Sequence, residues 1–396
     1  MGDILFLAHR FPYPPDRGDK IRSWHILKAL TKIAPVHVCA LVDDARDLNH
    51  LDVLRDICAS VHTRPRTVSK LGAMASGLLK GLPASVAAFS SAALQRDIDQ
   101  LLKAHDISTI FVFSGQMAQF IKASHQRFVM DFVDVDSAKF LAYADQSSGI
   151  AALANRFEGN RLAAYETKIA KRADVSLFVS DVEAALFRSY TGMDSRKVQA
   201  LENGIDLATF DPALPRKKVI DAAIPLIVFT GQMDYRPNID AVTAFAKDTF
   251  PLILRAVPTA QFAIVGRAPT PEVLGLAAGN GVIVTGEVPD TRDWLAAAHV
   301  VVAPLKLARG IQNKVLEAMA MAKPVVASRA AAHGIDAVAG MHLLVAESCV
   351  DEASAVINLL LDHEFGRKIG TAARLQMVMR YSWDARLADL RAIVQC

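Results

Sequence analysis

Two α/β domains built on parallel sheets are predicted from three features of the chain. Its 396 residues exceed the roughly 250–300 at which a single core stops growing. Short β-branched runs recur, each ended by glycine, proline or a polar loop, and most are followed by residues at helical spacing. That alternation marks βαβ units. Hydrophobic residues make up 52% and charged residues 21%, the balance of a core-rich globular chain rather than a disordered one.

In chain order, Asp3 to Ala8 reads as a first strand running into the loop His9 to Asp19. Lys20 to Ala34 has helical spacing at Ile21, Trp24, Leu27 and Leu30, and Val36 to Val42 reads as the next strand. This start places the Arg17-Gly18-Asp19-Lys20 tip at the carboxyl edge of the sheet, where open α/β folds bind ligands. A solvated turn is the plainer reading of the same tip. Residues 64–83 are basic and apolar with many small residues. They fit a loop-helix touching a membrane surface, and equally a buried helical hairpin.

Ile107 to Phe113 and Phe128 to Val133 read as strands, the second ending in DFVDVDS. Asp131, Asp134 and Asp136 past a strand end suit a metal or a poised base. Capping of the next helix by Asp136 or Ser137 is the structural alternative. Helical spacing covers 138–172, Val175 to Val179 reads as a strand, and 207–223, with two prolines, reads as a linker. A second series follows, with strands at Leu226 to Thr230, Gln261 to Val265, Val282 to Thr285, Val300 to Ala303 and Val325 to Ser328. Trp383 to Val394 reads as a last amphipathic helix.

The densest signal lies in residues 300–328. A buried strand stopped by Pro304 leads through Arg309 and Gly310 into a helix over 312–322, itself stopped by Lys323-Pro324. That helix is apolar almost all round, yet carries Lys314 and Glu317 three residues apart on one face. A carboxylate in a buried helix is expensive unless its acceptors are used. Beside a helix N-terminus, which binds anions, a cation and an acceptor suit a sugar diol next to a phosphate. A Lys314–Glu317 surface pair is the other reading.

Several classes are set aside. A net charge of +3 is too mild to argue for nucleic acid. Cys39, Cys58, Cys349 and Cys396 show no close pairing or CxxC spacing, which points to a reducing compartment and to no zinc site. The N-terminus lacks signal-peptide features, and no apolar run reaches membrane-spanning length. A soluble, cytoplasmic chain is expected. There is no G-x-G-x-x-G, H-E-x-x-H or G-x-S-x-G.

The segments PYPPDRGDKIRSWH, DFVDVDS, ENGIDLATFDP, FTGQMDYRPNIDAV, TGEVPDTRDWLAAAHVVVAPL and ARGIQNKVLEAMAMAKPVVAS carry a resemblance over nearly the whole chain. Together they resemble the retaining glycosyltransferases of family 4, with the GT-B fold of two facing Rossmann-like domains. The nearest likeness is to the sugar transferases of exosortase/PEP-CTERM exopolysaccharide loci.

The resemblance implies an acceptor domain over 1–206, a nucleotide-sugar domain over 207–375, and a tail over 376–396 packing back on the first domain. It implies that Glu317 accepts from the ribose hydroxyls, and that Lys314 and the Gly310-Ile311 backbone hold the diphosphate. Gly231 and Gly18 would allow close approach to the phosphates, and Gly286 and Val288 would meet the base. It further implies a nucleotide-sugar donor, a glycan or lipid-linked acceptor, and no bound metal or other cofactor. Exopolysaccharide assembly would place the protein in the cytoplasm or peripherally at the inner membrane face, with contact through 64–83.

The chain departs from the family pattern. The first of two glutamates separated by seven residues is here Arg309, and the usual Gly-Arg and later Lys appear as Gly231-Gln232 and Asn238. Arg309, Lys314 and Arg236 are then expected to supply the displaced positive charge. The family's first-domain histidine gives way to DFVDVDS, with Asp134, or else Asp131, orienting or deprotonating the acceptor hydroxyl. The rival readings are a GT-B nucleotide-sugar epimerase, or a degenerate protein that binds nucleotide-sugar or glycan without transfer.

Overall fold

The computed structural model describes residues 2–69, 72–73, 77, 81–122, 125–306 and 311–395. Two compact units are present, Met1–Asn203 with Arg386–Cys396, and Gly204–Ala385. In the first, parallel strands β1 (Asp3–Ala8), β2 (Val36–Val42), β3 (Ser60–Pro65), β4 (Ile107–Phe113), β5 (Arg127–Val133), β6 (Val175–Phe178) and β7 (Val198–Ala200) lie in the order 3-2-1-4-5-6-7. In the second, β8 (Leu226–Thr230), β9 (Gln261–Val265), β10 (Val282–Gly286), β11 (Val300–Ala303), β12 (Val325–Ser328) and β13 (Leu344–Ala346) lie in the order 10-9-8-11-12-13. Each sheet reverses its winding at its first strand. Such a switch point opens a crevice at the carboxyl ends of the strands.

The expected strands β1, β2, β4, β8, β9, β11 and β12 have the bounds that their apolar runs suggest. Three strands were not anticipated, β3, β7 and β13. All lie at sheet edges, where half-exposed positions carry polar residues and blur the pattern. The long helical stretch after β5 is a hairpin of helices Asp136–Gln146 and Gly149–Arg172. Of the basic segment 64–83, residues 70–71, 74–76 and 78–80 lie outside the described residues.

Residues 207–223, expected as a linker, belong to the second unit. Leu207, Phe210 and Ile220 pack on its core. Arg292 Nη1 donates to the Thr209 carbonyl at 3.1 Å, and the Lys217 N–H donates to Asp293 at 3.1 Å. The prolines mark irregular backbone there, but the apolar residues between them are still buried.

The chain returns to the first unit at Arg386, ten residues beyond the expected 376, because Met377 and Tyr381 are buried in the second unit's core. The single helix expected over Trp383 to Val394 is two short pieces, Trp383–Arg386 and Leu390–Gln395. The latter closes on the first sheet. Thr109 Oγ1 donates to the Val394 carbonyl at 2.9 Å and Arg127 Nε to that of Ile393 at 2.7 Å. Among the described residues no helix is long and apolar enough to cross a membrane.

One buried acid in the helical hairpin makes the first unit sensitive to pH. Glu166 accepts from the Ser137 hydroxyl at 2.5 Å and from its N–H at 3.2 Å, and burial pushes its pKa from 4.5 up to about 8. The folded form therefore holds a proton that the unfolded chain has already released. Stability from this group is complete below about 4.5 and is lost as pH rises through about 8. Urea midpoints for wild type and Glu166→Gln at about pH 5 and about pH 9 check this. The variant is expected to lose less on going alkaline, and parallel losses would contradict the assignment.

Candidate active site

The carboxyl edge of the second sheet gathers the residues of the densest motif at its switch point. Gly231 follows β8, Gly266 follows β9, β10 ends in Gly286, and helix Asn313–Ala320 follows β11. These loops approach one another closely. A Cβ on Gly266 would fall 1.7 Å from the Gly231 carbonyl oxygen, and Gly266 has φ +154. A Cβ on Gly231 would stand 2.8 Å from Asn238 Nδ2 and 3.1 Å from Lys314 Nζ. Gly286 has φ +67 with open space around its Cβ position, so its constraint is the left-handed backbone.

Helix Asn313–Ala320 buries Val315, Leu316, Ala318, Met319 and Ala320 and leaves Lys314 and Glu317 half-buried at its edge. The structure rejects the surface-pair reading. Lys314 Nζ donates to Asn238 Oδ1 at 2.6 Å and lies 4.0 Å above the centre of the Phe229 ring, a cation–π seat. Desolvation brings the Lys314 ammonium down to about 7, against the opposing pull of Glu317. Desolvation likewise raises the Glu317 carboxyl to about 7, with Lys314 acting against it. Among the described residues no donor hydrogen-bonds the Glu317 carboxylate. A desolvated acid of this kind gains from any ligand hydroxyls that donate to it, and the desolvated ammonium gains from an anion beside it.

The other second-unit candidates divide. Gln232 lends its side-chain Oε1 to Arg267 Nη2 at 3.1 Å and its carbonyl to Asn238 Nδ2 at 2.8 Å. Arg236 is 71% exposed and is held by Asp240 at 2.7 Å, with Glu272 at 3.9 Å. Its charge is shared with these two acids. Val288 and Ile311 are partly buried, with side chains packed against the core. Arg309 and Gly310 lie outside the described residues.

Two residues were missed. Asn238, noted only as the replacement of a lysine, is buried and positions both Lys314 and the Gly231–Gln232 loop. Arg267 follows Gly266 at the end of β9, and that Gly-Arg pair at a strand end was the available signal.

In the first unit the acids after β5 separate by environment. Asp131 is fully buried. Arg22 holds it with Nε at 2.9 Å and Nη2 at 3.2 Å, and the Val133 N–H donates to it at 3.1 Å. Arg22 Nη1 donates to the Leu201 carbonyl at 2.7 Å and to Asn203 Oδ1 at 2.8 Å. Asp131 is thus the counter-ion of an internal arginine, and the expectation of a catalytic base there is corrected.

Asp134 is partly exposed and pairs with Lys139 at 2.7 Å. It follows Val133, whose φ of 71 is unusual for a β-branched residue and turns the chain out of β5. The capping reading also changes. The N–H groups of Val135 and Ser137 are met by Glu183 at 2.7 Å and Glu166 at 3.2 Å, acids from later helices, rather than by Asp136 or Ser137. Gly18 opens helix Gly18–Thr31, and a Cβ there would meet nothing within 4 Å.

Comparison with known proteins bears on the second unit. Residues 224–363 match the family "Glycosyl transferases group 1". That span holds Gly231, Asn238, Gly266, Gly286, Lys314 and Glu317. An alpha-maltose-1-phosphate synthase of Mycolicibacterium smegmatis is 29% identical over 256 residues, 57% of this chain and 63% of the relative. A phosphatidyl-myo-inositol mannosyltransferase of Propionibacterium freudenreichii subsp. shermanii is 25% identical over 41% of this chain and 40% of its own. The chain thus spans less than two thirds of these relatives. Among solved structures, Anabaena HepE in complex with UDP aligns with a TM-score of 0.63 at 14% identity, covering 98% of both chains. WaaG, a glycosyltransferase involved in lipopolysaccharide biosynthesis, aligns at 0.61 and 16% identity over 99% of both. These likenesses establish the fold class, α/β of the GT-B type with two parallel-sheet Rossmann-like units.

Proposed function

We propose that the chain is a glycosyltransferase that moves a hexose from a nucleotide diphosphate sugar to an acceptor hydroxyl, with the anomeric configuration retained. The carrying observation is the pairing of Glu317, a desolvated carboxylate without a protein donor among the described residues, with Lys314 and the Gly231 loop inside the matched span. In this reading Glu317 accepts from the two ribose hydroxyls. Lys314, poised by Asn238 and Phe229, neutralises the diphosphate, and Gly231 and Gly266 let the backbone come close.

Charge developing on the leaving diphosphate is stabilised by Lys314 and by the backbone N–H groups at the N-terminus of helix Asn313–Ala320. Asp134 orients or deprotonates the acceptor hydroxyl. No metal is assigned to the donor site, because a cation and backbone donors already serve its phosphate end. The resemblance to exopolysaccharide sugar transferases supports a lipid-linked glycan acceptor and a place at the inner membrane face.

Thermal-shift titration with UDP, GDP, ADP, dTDP and their hexose conjugates tests the donor site. HepE is seen with UDP and with UDP-glucose, so UDP heads the panel. One nucleotide family is expected to raise the melting temperature, by about 2.7 kcal/mol of apparent stability at a hundredfold excess over Kd. Product formation with that donor and a lipid-linked acceptor then separates transfer from epimerisation. No shift with any nucleotide would overturn the reading.

A further inference from the structure

We propose that Asp3, His37 and His105 form a site for a borderline divalent cation such as zinc at the amino-terminal edge of the first sheet. It lies at the opposite end of those strands from Asp134 and is independent of the proposed transfer. Asp3 opens β1, His37 is the second residue of β2, and His105 lies between helix Ala92–Ala104 and β4. The three strands are neighbours in the sheet, so topology brings together residues as far apart in the chain as Asp3 and His105.

The donor set is two imidazoles and a carboxylate, with one ligand atom from each residue and all three within 4.8 Å of one another. His37 Nε2 stands 3.0 Å from Asp3 Oδ2, and the His37 and His105 rings lie 4.1 Å apart at 39°. In a tetrahedral zinc site with bonds of about 2.0–2.1 Å, ligand atoms are about 3.3 Å apart. The His37–Asp3 edge is already near that value. The remaining closure falls on His105, whose side chain is exposed at the end of its helix.

His37 is itself built in. It is 2% exposed and its Nδ1 lies 2.8 Å from Ser60 Oγ on β3. With the cation on Nε2, Nδ1 carries the proton and donates to Ser60, the outer hydrogen bond that orients metal-bound imidazoles. A cation on Nε2 replaces the present His37–Asp3 hydrogen bond and leaves a fourth position to water. Two imidazoles and a carboxylate suit zinc or its first-row neighbours better than magnesium or calcium, which prefer oxygen ligands. Occupancy would clamp the amino ends of β1 and β2 to the entry of β4.

The full chain, stripped with chelator and dialysed, is titrated with zinc chloride by calorimetry and thermal shift, and with cobalt(II) by visible absorption. One equivalent is expected to bind, raise the melting temperature and give the cobalt spectrum of a low-symmetry tetrahedral site. His105→Gln, at an exposed ring, is expected to leave the metal-free melting temperature unchanged and weaken zinc at least tenfold. Asp3→Asn is expected to weaken it similarly. Zinc without thermal effect, or undiminished affinity in both variants, would overturn the proposal and assign the binding to other histidines. UDP titrations of His105→Gln should match wild type whichever way the metal result falls.

Discussion

Arg22→Met is expected to destabilise the first unit by about 3–5 kcal/mol, because it strands a fully buried carboxylate without its partner. Arg22 and Asp131 are 1% and 0% exposed, and neither is within reach of solvent for compensation. The double variant Arg22→Met, Asp131→Leu removes both charges and fills the space with apolar atoms. Such replacements of buried pairs are often neutral or stabilising, so most of the loss should return. The cycle also separates two roles. If Asp131 is only a counter-ion, the double variant keeps its transfer rate while Asp134→Asn lowers it. A single-variant loss below about 1 kcal/mol, from urea unfolding of the first unit, would contradict this account.

Glu317→Ala should abolish the nucleotide-dependent thermal shift and lower kcat/KM by about a hundredfold or more. Hydrogen bonds to a charged acceptor contribute about 1.5–3 kcal/mol each, and the proposed ribose diol makes two. Stability without ligand should move little or rise, since the deleted carboxylate is desolvated and accepts no hydrogen bond from the described residues. That opposite behaviour of apo stability and ligand affinity distinguishes a binding acid from a structural one. Wild-type donor affinity in the variant would remove Glu317 from the site. Loss of apo stability with affinity kept would make it a packing residue.

What could be read without coordinates was local. The apolar runs ended by glycine, proline or a polar loop mark β1, β2, β4, β8, β9, β11 and β12, and the Lys314–Glu317 spacing within an apolar helix already singles out that helix. Hydrophobic period and backbone punctuation are properties of adjacent residues, so they survive in one dimension. The edge strands β3, β7 and β13 do not, because their backbone pairing rather than their side chains makes them strands. Asp131 and Asp134 look alike in DFVDVDS. They differ because Arg22, 109 positions away, meets one and not the other. Lys314 likewise reads as a solvated partner of Glu317 until folding places Asn238 and Phe229 around it. Burial and long-range pairing set the charge state and reach of such groups, and neither is encoded in a short stretch of chain.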